Sequence, residues 1–206
     1  MRVVVQKYGG SSVADTDRIK NVANRIAKKV QEGYKVVSVI SAMGKTTDQL
    51  INLAKSLSQR PDERELDMLL VTGEQVSCAL VAITLKDIGI NAISLNAFQA
   101  KILTTKHHTN ARIMDISVSH LREYLKEYDV IVVTGFQGVT EDGHFTTLGR
   151  GGSNTSAVAL AAKLKCDCEI YSDVVGVYSC DPRLYPNAKK WDYITYDDML
   201  ELAATG

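Results

Sequence analysis

Short β-branched runs alternate along this chain with segments whose apolar residues recur at helical spacing, and few architectures accept that pattern. Residues 3–5, 36–40, 92–95, 130–133 and 169–171 read as strands. Their near-continuous apolar character implies a sheet covered on both faces. Between the first two runs, Ile19, Val22, Ala23, Ile26, Ala27 and Val30 recur as on one helix face, with Asp15 as its cap and Gly33 to close it. Leu50, Leu53, Ala54 and Leu57 mark a second helix, and Val76, Ala79, Leu80 and Ile83 part of a third that stops near Gly89. Leu121, Tyr124 and Leu125 mark a fourth, Ala157, Leu160, Ala161 and Leu164 a fifth, and Met199, Leu200 and Ala203 open a last one. The alternation predicts an α/β fold, a three-layer αβα sandwich around a mostly parallel central sheet. Residues 136–148 break the rhythm: Glu141-Asp142-Gly143 between Val139 and Phe145 predicts a small antiparallel hairpin flap.

Composition narrows the class further. A chain of 206 residues, 45% hydrophobic, is long enough for one sizeable core, and one domain spanning 1–206 is expected. Lys plus Arg equals Asp plus Glu at 24 each, so no net field favours nucleic acid or an anionic membrane. Met1 leads straight into a strand with no cationic leader and no uninterrupted apolar span of membrane length, which predicts a cytoplasmic protein. The four cysteines (Cys78, Cys166, Cys168, Cys180) read as reduced thiols, and Cys166-x-Cys168 lacks the usual zinc spacing, so no metal site is expected. His107 and His108 read as surface residues.

Ligands of parallel α/β sheets bind at the carboxyl ends of strands, so the loops that follow them come first. Lys7-Tyr8-Gly9-Gly10-Ser11-Ser12 follows the first strand: two glycines admit a phosphate and Lys7 adds charge, although an ordinary strand-to-helix turn fits the same spacing. Ser41-Ala42-Met43-Gly44-Lys45-Thr46-Thr47-Asp48 follows the second. It is no Walker loop, because Val39 stands where the earlier glycine is required. Thr72-Gly73-Glu74 interrupts an apolar helical stretch, indicating a helix junction or a close backbone approach. Residues 147–156, which contain Gly149-Arg150-Gly151-Gly152-Ser153-Asn154, lead hydroxyls and glycines around an arginine into a helix start, an arrangement suited to anions. Residues 171–183 leave the last strand through Gly176 and an Asp-Pro stop, either as a nucleotide pocket or as a plain connector.

Taken together, Lys7 to Ser12, Ser41 to Gly44 with Thr47, Gly73-Glu74, Leu148 to Ser153, and Asp173 through Asp181-Pro182-Arg183 resemble the aspartate kinases of the amino-acid kinase superfamily, in order along the whole chain. The resemblance implies the amino-acid kinase fold and ATP-dependent phosphorylation of the L-aspartate β-carboxylate, with Mg²⁺ bridging the phosphates. It implies a phosphate grip by Lys7, Tyr8, Gly9, Gly10 and Ser11, and a nucleotide pocket of Ser172, Asp173, Tyr178 and Arg183. Ser41, Thr47, Glu74, Arg150, Gly151, Gly152 and Ser153 would hold aspartate, with Lys7, Arg150 and Asn154 at the reacting centre. The residue types suit the chemistry, because a carboxylate with a pKa near ~4 is already an ionised nucleophile and needs alignment and charge neutralisation rather than a base. Relatives usually dimerise, which makes a homo-oligomer the expectation. Two departures stand out. Asn154 occupies a position where most relatives carry aspartate, and relatives continue past Gly206 into a segment with a further phosphate-gripping lysine and then into regulatory ACT domains. The expected domain is therefore a catalytic one incomplete at its carboxyl end. Other amino-acid kinases, acting on acetylglutamate, glutamate or carbamate, and a non-catalytic ligand-binding fragment are the competing readings.

Overall fold

The computed structural model of the chain describes residues 1–149, 151–173, 175–180, 182 and 184–199. Two compact units are present, Met1–Ser172 and Asp173–Gly206.

In the first unit, five strands form one fully parallel sheet: β1 (Arg2–Tyr8), β2 (Tyr34–Ile40), β3 (Ala92–Leu95), β6 (Val130–Thr134) and β9 (Asp167–Tyr171), in the order β3-β6-β2-β1-β9. Each anticipated strand is present, with ends extended by up to three residues. Period-2 geometry divides the side chains between two cores. Val4, Val36, Ile40, Val130 and Val132 pack under α1 (Thr16–Gln31) and α3 (Glu63–Asp87). Val5, Val37, Val39, Ile131 and Val133 face α4 (Val118–Glu127) and α5 (Gly152–Leu164). Helices on both faces make the three-layer αβα sandwich. The caps of α1 follow the sequence, with Asp15 accepting the Arg18 amide and Gly33 turning at φ +86°.

Two helices bury other faces than periodicity indicated. Val76 and Ile83 of α3 are 53% and 63% exposed, while Leu70, Val71, Cys78, Val81, Ala82 and Leu85 are buried. A helix apolar on several sides does not reveal which side turns inward. α3 is also long and apolar enough to span a membrane by length and composition, yet the acids Asp67 and Glu74 interrupt it, both buried, and half of that stretch is packed inside the protein. It is the core helix of this sandwich. In α2 (Thr46–Leu57) no residue is fully buried, and Leu53 and Leu57 stand out to solvent.

The hairpin is present but belongs to a larger sheet. β7 (Gln137–Val139) and β8 (Phe145–Thr147) pair antiparallel, and β4 (Ile102–Thr104) and β5 (Ile113–Ile116) extend them in the order β5-β4-β7-β8, with β4 and β7 parallel. β4 and β5 are too short for alternation to register, and Thr104 and Asp115 cut their apolar runs, which is why they were not anticipated.

The second unit holds one small antiparallel pair, β10 (Val177–Tyr178) and β11 (Lys190–Trp191), with the Lys189 ammonium 4.7 Å from the centre of the Trp191 ring. Met199 is helical, as expected, whereas Leu200 and Ala203 lie outside the described residues.

Candidate functional site

Backbone hydrogen bonds lace the loops at the carboxyl edge of the main sheet. The Ser41 amide donates to the Tyr8 carbonyl at 3.1 Å, Gly44 to Gly10 at 3.0 Å, and Gly135 to Ile40 at 2.9 Å. Side chains of α3 secure the same loops: Ser77 Oγ donates to the Ser41 carbonyl at 2.7 Å, and the Ala42 amide donates to Glu74 Oε1 at 3.2 Å. α3 approaches this closely because residue 73 is glycine, where a Cβ would stand 3.0 Å from the Ala42 Cβ. Thr72-Gly73-Glu74 is therefore a close approach inside a continuous helix, not a junction.

Over this edge opens a cleft of about 530 Å³. Its walls carry Lys7 and Gly10 from the first loop, Ser41 and Thr47 from the second, Glu74 from α3, and Gly151, Gly152, Ser153 and Asn154 from the start of α5. Gly151, at φ +74°, caps α5 in a left-handed conformation and accepts the Asn154 amide at 2.9 Å, so the helix begins at the cleft wall. Lys7 bends over its own loop, and a Cβ on Gly9 would lie 3.3 Å from its Nζ. A cation, hydroxyls and a helix amino terminus together form a surroundings for anions.

Glu74 is the exception. It is 2% exposed, its Oε2 has no hydrogen-bond partner, and burial lifts its carboxyl to about 7 against the pull of the backbone and Gln137 amides. A buried acid with one oxygen unsatisfied at a cleft wall suits a cationic group of a ligand.

Other anticipated residues lie elsewhere. Tyr8 is buried, stacked on Tyr171 with ring centres 4.8 Å apart and hydrogen-bonded to Gln6 Oε1, and burial pushes its hydroxyl well above the ordinary tyrosine range. It faces α1 because successive strand residues point to opposite sides. Tyr8 and Ser172 line a separate cavity of about 240 Å³ with Ser12, Arg18 and Arg25. Gly9 precedes and Ser11 lies within the short 3₁₀ turn Gly10–Val13, where the Ser11 carbonyl accepts from Arg18 at 2.5 Å. Asp173 and Tyr178 belong to the second unit. Arg150 and Arg183, with Asp181 of the Asp-Pro stop, lie outside the described residues. A larger groove of about 700 Å³ between β5 and α5 takes Leu148 and Thr155 from the segment 147–156 but none of the residues assigned to phosphate, nucleotide or aspartate.

One cluster escaped the sequence altogether. His108, read as a surface residue, turns onto the fully buried Asp67 with Nδ1 2.8 Å from Oδ2, while His107 is exposed as expected. The signal was an aspartate among Leu66, Met68, Leu69 and Leu70, a charge within an apolar run. Among the described residues no group of three His, Cys, Asp or Glu side chains could hold a metal ion.

The whole arrangement has known counterparts. The model of the amino acid kinase family matches residues 2–206. The chain belongs to the amino acid kinase family. Aspartokinase from Geobacillus stearothermophilus is 56% identical over all of this chain and 51% of its own length, so the chain spans about half the length of the curated relatives it matches. Among solved structures, aspartate kinase from Synechocystis superposes with a TM-score of 0.84 at 51% identity, covering 98% of this chain and 34% of that one. E. coli aspartokinase III in complex with aspartate and ADP gives 0.89 over 98% of this chain and 56% of that one, at 24% identity, a likeness of fold. The amino acid kinase sandwich thus accounts for the mostly parallel central sheet.

Proposed function

We propose that these 206 residues form the catalytic portion of an aspartate kinase, transferring the γ-phosphoryl group of ATP to the β-carboxylate of L-aspartate. The observation that carries this reading is the gathering of Lys7, Ser41, Thr47, Glu74 and residues 151–154 around one cleft from loops far apart in sequence. In this reading Glu74 receives the substrate ammonium, which supplies the partner missing at Oε2 and keeps the carboxyl ionised. Ser41 and Thr47 donate hydroxyls to the acceptor, and Arg150 takes its α-carboxylate. The amides at the start of α5 add to the hold on the acceptor, while Lys7 and Gly10 neutralise the phosphates, so that the two anions meet in line.

Mg²⁺ accompanying the nucleotide would supply charge neutralisation for the transferring group beside Lys7 and Gly10. Ser172, Asp173, Tyr178 and Arg183 are proposed for the nucleoside end. The identity of the aspartokinase relatives along the whole chain supports aspartate over other acceptors. Supporting it too is the buried acid, which a substrate without an ammonium would leave unpaired.

The test is ADP release measured with aspartate, glutamate, acetylglutamate and carbamate, for the wild type and Lys7→Met. Aspartate-dependent release that falls by about a hundredfold or more in the variant is expected, the scale of losing one charge that stabilises a transition state. Equal rates with every acceptor, or an unaffected variant, would overturn the reading.

A further inference from the structure

Asp67 is fully buried on α3, and three groups from outside that helix converge on its carboxylate. Thr147 Oγ1 donates to Oδ1 at 2.6 Å, and the Thr109 amide donates to Oδ1 and Oδ2 at 3.2 and 3.0 Å. His108 Nδ1 lies 2.8 Å from Oδ2, and since a carboxylate accepts, Nδ1 carries the proton. Thr109 sits at φ +62°, in the left-handed region where a branched side chain is strained. The hydrogen bonds from its backbone amide to Asp67, 42 positions away, hold it there.

These groups are not remote from the cleft. Thr109 and Thr147 both line it, together with Leu66 and Leu70 from the turns of α3 on either side of Asp67. The Ala111 amide donates to the Thr147 carbonyl at 2.8 Å, and a Cβ on Gly149 would stand 3.2 Å from Asn110 Oδ1. The loop 105–112, the end of β8 and the glycine that opens the approach to α5 therefore form one assembly, attached to α3 through Asp67. Seven residues further along, on the same face of the same helix, Glu74 enters the cleft.

We propose that Asp67 is a positioning residue: by tying Thr109 and Thr147 to α3 it sets the distance between the glycine turn before α5 and Glu74, and so governs affinity for the amino-acid acceptor without touching it. This rests on the proposed function in one respect, that Glu74 and the start of α5 hold the acceptor. The carboxylate is shared by three donors, so its loss releases the loop and the strand end together. The nucleotide side, built from the loop after β1, shares none of these bonds.

Asp67→Asn and His108→Ala in the purified protein separate positioning from simple stability, because the second substitution is partly exposed and leaves the helix intact. Steady-state kinetics are measured with aspartate and ATP varied in turn, and amide exchange is followed without ligand. The aspartate KM is expected to rise about tenfold in Asp67→Asn and about threefold in His108→Ala, with the ATP KM within about twofold, the scale of one or part of one charged hydrogen bond. Exchange in 105–112 is expected to quicken while that of α1 stays unchanged. Should Asp67→Asn fail to fold, His108→Ala decides alone. Parallel rises in both KM values, an unchanged aspartate KM, or unchanged exchange in 105–112 would overturn the role. If the wild type shows no aspartate-dependent turnover, the proposed function fails, and the exchange measurement by itself then upholds or overturns the clamp.

Discussion

Ala42 donates its backbone amide to Glu74 Oε1 at 3.2 Å, one bond that joins the loop after β2 to the middle of α3. The second oxygen of that carboxylate is buried with no partner, and the group's affinity for a proton is raised to about 7 from an ordinary 4.5. The consequence for stability follows by linkage. Below about 4.5 both the folded and the unfolded chain carry the proton and the contribution of Glu74 is fully present. As pH climbs to about 7 the unfolded chain releases the proton first, and that contribution is lost. Urea melts of the ligand-free protein between pH 5 and 8 are therefore expected to show stability falling with pH by on the order of 3 kcal/mol more than in Glu74→Gln. Identical slopes in the two proteins would refute the buried-acid description.

The same substitution separates stability from binding. Glu74→Gln keeps an oxygen for the Ala42 amide but removes the charge offered to an ammonium. The aspartate KM is expected to rise by about tenfold to a hundredfold while the ATP KM holds, since a charged hydrogen bond in a buried site contributes about 1.5–3 kcal/mol. Isothermal titration with aspartate and a non-hydrolysable ATP analogue reads the two affinities separately. An equal loss for both ligands would mean that Glu74 supports the cleft rather than the acceptor.

Gly73 is placed by contact rather than by flexibility. Its missing side chain lets α3 meet the Ala42 Cβ at 3.0 Å and the Thr46 Cγ2 at 3.5 Å, counted from where a Cβ would be. Gly73→Val forces those elements apart, and a loss of about 1–3 kcal/mol is expected, as for other overpacked cores. Gly73→Ala is nearer neutral, because about 1 kcal/mol of helix propensity offsets a contact that must yield by a few tenths of an ångström. Thermal melts of both variants test the order; a stabilised Gly73→Val would show that the helix is free to withdraw.

Much of this fold is legible in the residues themselves, and the losses have physical causes. The central strands stood out because both of their faces are covered, which leaves unbroken apolar runs such as Val130 to Val133. β4 and β5 did not, being short and interrupted by Thr104 and Asp115. The α3 stripe was assigned to the wrong side, since Val76 and Ile83 look as apolar as the buried Val81 and Leu85. At the candidate site, local signals singled out Lys7, Glu74 and the start of α5, where glycines and charge interrupt a pattern, and these residues line one cleft. Tyr8 was misplaced because a strand's side chains alternate, and a motif read as a block ignores which face each member occupies. Asp67 was missed because its partners, His108, Thr109 and Thr147, lie 41 to 80 positions away, and nothing in a linear reading joins them.

Asn154 offers the sharpest test of how the start of α5 acts. Gly151 caps the helix, so residue 154 occupies its third position, exposed on the cleft wall with its amide bonded to the Gly151 carbonyl. A negative charge there interacts favourably with the helix dipole by about 0.3–1 kcal/mol, so Asn154→Asp is expected to melt slightly higher. Its larger effect is on the ligand. An aspartate beside Lys7 and the acceptor can pair with the substrate ammonium or orient the lysine, where the amide of Asn154 offers only uncharged hydrogen bonds. The variant is accordingly expected to bind aspartate more tightly or turn it over faster, by about threefold to tenfold in kcat/KM. Unchanged kcat and KM, with only the small rise in melting temperature, would assign residue 154 to the helix cap alone and remove it from the reacting centre.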